Sequence, residues 1–191
     1  MRLQVNKRIR LYVFGITILF SGCGTYKKLA CLEPVNVVEF SSEIFNGNYH
    51  NVRIQKYSGG GHHVGHKLWY TLCETYSIWG GKVNASDSSI VNLRFVDNRL
   101  HVQLSEDGKV LREIVLKAKV KDNYLSIKRK YVLIPILPIL WGSHNCKIIL
   151  ANTENGNLLL KAYYSNGAVV IIMASGNSDT VSAEFLKIID K

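Results

Sequence analysis

Residues 99–121 read Arg99-Leu-His-Val-Gln-Leu-Ser-Glu-Asp-Gly-Lys-Val-Leu-Arg-Glu-Ile-Val-Leu-Lys-Ala-Lys-Val-Lys121. Leu100, Val102 and Leu104 alternate with Arg99, His101, Gln103 and Ser105. Past Asp107-Gly108 the alternation resumes: Ile114, Leu116, Ala118 and Val120 on one face, Glu113, Lys117, Lys119 and Lys121 with Val115 on the other. A period of two with one apolar face is the pattern of a half-buried antiparallel strand. Asp-Gly supplies the positive φ that a two-residue hairpin demands. This stretch therefore reads as a β-hairpin, and it sets the fold class for the chain around it.

The same signals recur on both sides. Val91, Leu93 and Phe95 oppose Asn92 and Arg94, and Asp97-Asn98, Asp122-Asn123, Asn155-Gly156 and Asn166-Gly167 mark further turns. Strands are predicted at 89–97, 99–106 and 110–121, and near 48–56, 124–133, 145–152, 157–164, 168–174 and 180–188. The expected architecture is all-β: an antiparallel up-and-down meander barrel of about 8–10 strands, since closure covers the edges of such a meander. One segment departs from the period. Leu68, Leu72, Tyr76 and Trp79 recur at helical spacing, which predicts a short helix between the first two strands that plugs or lids the barrel. The stretch Ile134-Pro-Ile-Leu-Pro-Ile-Leu-Trp141 is intensely apolar. Pro135 and Pro138 bar it from a central strand, leaving a connection packed over a barrel end or an apolar lip that touches ligand or lipid.

The N-terminus is organised differently. Met1–Arg10 is basic, and a mostly apolar run of twelve residues, Leu11–Gly22, follows. That run is too short to span a bilayer, which takes about 20 apolar residues, and it suits the apolar part of an export signal. Leu19-Phe-Ser-Gly-Cys-Gly24 then places two small residues before a cysteine. This resembles the bacterial lipoprotein signal, with Phe20 where leucine is usual. The resemblance implies a signal peptide over 1–22, diacylglyceryl and N-acyl chains on Cys23, a tether over 23–45 and a folded domain over 46–191. Two or more acyl chains make a stable anchor. Gly24, in place of an inner-membrane retention aspartate, directs the expectation to the outer membrane of the cell envelope.

Gly47-Asn-Tyr49, Leu68-Trp69, and Lys128-Arg-Lys130 running into Ile134-Pro135 resemble the lipocalin-like small lipoproteins of Bacteroidetes. That resemblance implies the barrel architecture and adds no mechanism.

The whole chain carries a formal net charge of +10. Four of these cations, Arg2, Lys7, Arg8 and Arg10, precede Cys23 with no acid among them, so the remainder carries +6. The lysines are scattered through the strands, and no nucleic-acid-binding motif is present. GxSxG, HExxH, phosphate-loop and paired-carboxylate patterns are absent too, so a non-catalytic protein without a cofactor is expected.

Ligand-binding candidates are Tyr49, Trp69, Tyr76, Trp79, Arg129 and Trp141. Arg129 shares the apolar parity of Leu125, Ile127 and Tyr131. It is either the partner of a ligand carboxylate or a rim or internally paired cation. His62, His63 and His66 in Gly59-Gly-Gly-His-His-Val-Gly-His66 offer imidazoles to zinc or copper, or else form a polar loop. Cys73 and Cys146 read as small buried hydrophobes, with a bridge from Cys31 to either one open in an oxidising compartment. Two functional classes follow: a barrel that binds a small apolar or amphiphilic ligand, and a solid barrel whose surface binds an envelope partner.

A Cys23→Ser variant is expected to lose acylation and leave the membrane fraction. Continued sedimentation with membranes would overturn the anchor.

Overall fold

In the computed structural model, which describes residues 35–58, 65–76, 84–127, 131–137, 140–170 and 173–189, the turn chemistry is where the sequence puts it. Asp97 and Asn98 hold φ of 50° and 58°, and Asp107 and Gly108 hold 48° and 74°. Both central residues of each turn are thus left-handed, the conformation whose twist matches flanking strands. Asp122 (52°) and Gly156 (78°) mark two more turns.

In chain order the elements are α1 (Ser42–Phe45), β1 (Gly47–His50), β2 (Gln55–Ser58), α2 (Leu68–Tyr76), β3 (Ile90–Val96), β4 (Arg99–Glu106), β5 (Lys109–Lys121), β6 (Tyr124–Ile127), β7 (Tyr131–Leu137), β8 (Leu140–Asn152), β9 (Leu158–Val170), β10 (Met173–Phe185) and β11 (Lys187–Ile188). All strand pairs are antiparallel, in the order β11-β1-β3-β4-β5-β6-β8-β9-β10-β2. β7 lies beside β6 along the same side of β8, β6 at Ile148–Leu150 and β7 at Leu140–Asn145. No described helix is long and apolar enough to cross a membrane.

The path has two ends, so it is not the closed ring of uninterrupted strands expected from the sequence. The interruptions lie at one place. Leu186 alone separates β10 from β11, and Asn51–Ile54 separate β1 from β2. β1 pairs with β11 and β2 with β10. Backbone bonds from His50 N to Leu186 O and from Ile54 N to Glu184 O, both 2.9 Å, bridge the gaps. These breaks divide the first and last strands of the path in two.

Two local expectations are corrected. Asn166-Gly167 is not a turn: it lies inside β9, paired on one side with His144 and Ser143 and on the other with Asn177 and Gly176. Ladders on both flanks outweigh a local turn preference. Residues 134–137 and 140–141 are not a long connection but lie in β7 and β8, with Pro135 opposite Trp141. Among the described residues β7 pairs only with β8, an edge position that tolerates proline.

The period-two reading gives the core faithfully. Leu100, Val102, Leu104, Val91 and Leu93 are fully buried, and Ile114, Leu116 and Ala118 nearly so. Val120 breaks parity at 44% exposed, where β5 has left β4 and pairs with short β6. α2 sends Leu68, Trp69 and Leu72 into the same cluster as Phe45, Tyr49, Leu160 and Phe185. Each such side chain contributes about 1.5–3 kcal/mol of burial, so the helix is held by tertiary packing rather than by its own nine residues.

Gly65, at φ +71°, leads the chain into α2, and a Cβ there would lie 2.3 Å from Val181 Cγ1. Gly108, at φ +74°, has nothing within 4 Å of that position. Gly108→Ala is expected to cost about 1 kcal/mol, the left-handed backbone penalty alone. Gly65→Ala adds overpacking and should cost about 3 kcal/mol. Urea unfolding of the two variants checks the difference.

Candidate functional site

The chain between β1 and α2 is where buried polar chemistry concentrates. Asn51 is fully buried. Its carbonyl accepts from Leu68 N at 2.8 Å, its Oδ1 accepts from Trp69 N at 3.0 Å, and its Nδ2 donates to Ser86 O at 3.1 Å. The first amides of α2 have no partner inside the helix, and Asn51 supplies partners for two of them. An isolated bridge between Val52 and Lys67 extends this contact.

One step further, Arg53 N donates to His66 O at 3.2 Å, which sets Arg53 opposite His66. Arg53 Nη1 and His66 Nδ1 are both buried atoms, and neither has a hydrogen-bond partner among the described residues. Their neighbour Lys67 differs. Its ammonium donates to Ala85 O at 2.6 Å and pairs with Asp87 at 2.8 Å, and that hydrogen bond lowers the Asp87 pKa below the usual carboxylate range. Orphaned buried donors are rare and costly. A buried guanidinium nitrogen without a partner is a group that an oxyanion would satisfy.

A second polar group sits where β8 turns into β9, and it is satisfied. Glu184 is 5% exposed. Its Oε1 accepts from Asn157 Nδ2 at 2.9 Å and Thr153 Oγ1 at 3.3 Å, and its Oε2 accepts from Tyr57 OH. The Tyr49 hydroxyl donates to Phe45 O at 2.5 Å and accepts from Asn152 Nδ2 at 3.3 Å. Burial raises the Tyr49 pKa to about 12, against the lowering effect of Asn152. The Lys187 ammonium donates to Ile44 O and lies 5.8 Å from the centre of the Tyr49 ring; burial lowers its pKa.

Of the aromatic candidates, Tyr49 and Trp69 are 0% and 1% exposed and belong to one packed core. The backbone of Tyr76 ends α2, and that of Trp141 lies opposite Pro135 and Val169. Trp79, Arg129, His62, His63, Cys23 and Cys31 lie outside the described residues. His66 is placed beside Arg53, and among the described residues no three His, Cys, Asp or Glu side chains are grouped to hold a metal. Cys146 is buried in the core and Cys73 packs against it.

The sequence reading missed Arg53, although it shares the parity of Tyr49 and Asn51 in the strand predicted at 48–56. That parity was the available signal for an inward cation.

The Tyr49 hydroxyl yields a pH prediction. Its pKa is about 12 in the folded chain, against the ordinary tyrosine value of 10.0, so between those values the folded chain holds a proton that the unfolded chain releases. Stability is therefore full below pH 10 and falls as pH rises toward 12, by about 2–3 kcal/mol. Tyr49→Phe should remove this part of the alkaline slope while costing about 1–2 kcal/mol at neutral pH, measurable by denaturant titration at pH 8, 10 and 11.5. Comparison with family models, with curated proteins and with solved structures finds no match to this chain.

Proposed function

We propose that this chain is a lipid-anchored protein of the bacterial cell envelope, tethered by acyl chains on Cys23, that binds an amphiphilic ligand with an anionic head. It catalyses no reaction. Its sheet is read as a lipocalin-like barrel with one broken seam, in which β1 and β2 run beside β10 and β11.

The observation that carries the ligand reading is the pair Arg53 and His66. Both hold buried nitrogens without partners, on the segment that leads into a helix buried in the core. Gly65, next to His66, packs on the core-facing residues Val181 and Ala183. The residue types match a carboxylate or phosphate, both planar or tetrahedral oxyanions that guanidinium receives well.

A specific observation favours a second reading. Tyr49, Trp69, Leu68, Leu72 and Phe45 are essentially inaccessible and mutually packed, the arrangement of a solid barrel that works through its surface on an envelope partner.

Calorimetric titration with dodecanoate and with dodecanol distinguishes the two. On the ligand reading, dodecanoate binds. Arg53→Gln weakens it by about ten- to a hundredfold, the worth of a charge-assisted hydrogen bond, and leaves the weaker dodecanol binding unchanged. No heat with either compound, from protein folded by circular dichroism, would sink the ligand reading in favour of the solid barrel.

A further inference from the structure

Strand register gathers cations that are spread through the sequence. On β5, Lys117, Lys119 and Lys121 alternate with the buried Leu116 and Ala118, so they lie on its outward side with Val115. Lys117 is opposite Arg99, and Arg99 is opposite Val96. One row along, Val115 is opposite His101, and His101 is opposite Arg94. Arg94, Arg99 and the three lysines are exposed, and Val96 and Val115 stand among them at 39% and 41% exposed.

This arrangement is unfavourable in isolation. Arg99 and Lys117 are directly opposite, a like-charge pair that costs stability. The lysines of β5 follow one another at about 7 Å, inside the screening length of about 8 Å at physiological salt. Among the described residues no ion pair joins Arg94, Arg99, Lys117 or Lys119 to an acid. The acids at the margin of the patch are Glu113, 3.5 Å from His101 Nδ1, and the turn residues Asp97 and Asp122.

We propose that this outward patch of β3, β4 and β5 docks on the anionic headgroups of a lipid bilayer. Charge selects the occupant. A second copy of the patch would bring like charges together, whereas anionic headgroups supply the counter-charge that the sheet lacks. The exposed valines fit the same surface, since interfacial segments combine cations with apolar side chains in this way.

The dimensions suit a surface rather than a single anion. The patch is about 10 Å wide across three strands and about 20 Å long from Val115 to Lys121. Each Lys or Arg beside an anionic surface contributes about fivefold in affinity. Five of them on one face multiply into a firm hold, although each alone is weak.

The path of the chain favours lipid over other polyanions. Thr153 N donates to Asn157 O at 3.0 Å on the side of β9. Val37, bridged to Thr153, and Val38, whose N donates to Asn152 O at 3.1 Å, therefore take the side of β6. There the Asp122-Asn123 turn joins Lys121 to Tyr124, so the chain enters the sheet beside the end of the lysine row. Cys23 precedes Val37 by fourteen residues, a reach of at most about 50 Å. The inference rests on the anchor reading for placing a membrane within that reach.

The test reconstitutes the protein purified from its membranes with vesicles of phosphatidylethanolamine and phosphatidylglycerol, or of phosphatidylethanolamine and phosphatidylcholine. An uncharged acetylating reagent then labels the lysines, and mass spectrometry reads each rate and the mass of the N-terminal fragment. Docking predicts that Lys117, Lys119 and Lys121 react about tenfold more slowly on the anionic vesicles. Lys56, exposed on β2 at the end of the strand path, serves as the unchanged reference. The protection should vanish in 1 M salt, where screening shortens to about 3 Å. Lys117→Gln/Lys119→Gln, folded by circular dichroism, should reduce the protection at Lys121 to less than about twofold, since it removes about 25-fold in surface affinity. Acylated protein with equal rates on both vesicles overturns the docking and leaves the anchor standing. Protection in protein without lipid on Cys23 supports the docking and removes the anchor. Protein that is neither acylated nor protected overturns both. Equal protection by DNA, at matched phosphate on the phosphatidylcholine vesicles, overturns lipid as the partner.

Discussion

One buried asparagine holds α2 in place. Asn51 takes the two leading amides of α2 on its backbone and side-chain oxygens, and ties the segment before β3 through its amide. A nine-residue helix has little stability alone, and its N-terminal amides would be costly to bury without acceptors. Because Asn51 follows β1 directly, the constraint also fixes where β1 stops and where the sheet breaks. The positions of Trp69 in the core, of Gly65 against Val181 and of Arg53 opposite His66 are consequences of that one junction.

Two polar groups in the same domain then stand in contrast. Around Glu184 every contact reads as closure. A carboxylate receives two side-chain donors on one oxygen and a tyrosine hydroxyl on the other, and the Tyr49 hydroxyl both donates and accepts. Such a network specifies one arrangement of the β8–β9 turn against the C-terminal strands. At Arg53 and His66 the buried donors are left open. Satisfied groups of this kind belong to the architecture, and the unsatisfied pair is the observation on which the proposed ligand reading rests.

The β-hairpins were legible because their information is local. Alternation and Asp-Gly or Asp-Asn turns act within ten residues, and burial at Leu100, Val102 and Leu104 follows from them. Asn166-Gly167 misled because the ladders that straighten it come from strands distant in sequence. Pro135 was excluded correctly from a central strand and yet lies in an edge strand, since proline forbids a donor and not a strand. The site was less legible. Tyr49 and Trp69, ligand-binding candidates in the sequence, are packed in the core, since residue type and period cannot tell a pocket wall from a packed core. Arg53 needed the knowledge that β1 ends at His50 and that His66 returns beside it, which only the tertiary arrangement supplies.

The seam has a meaning for the order in which the molecule is made. β1 finds β3 within about forty residues, but its other neighbour, β11, pairs Ile188 with Asn48 across about 140 residues. During synthesis the first strand must therefore wait with one edge uncovered until almost the whole described chain has emerged. Loop closure over that span is slow, so the seam forms late, and a chaperone or export factor that shields nascent chains would find β1 its longest-standing customer.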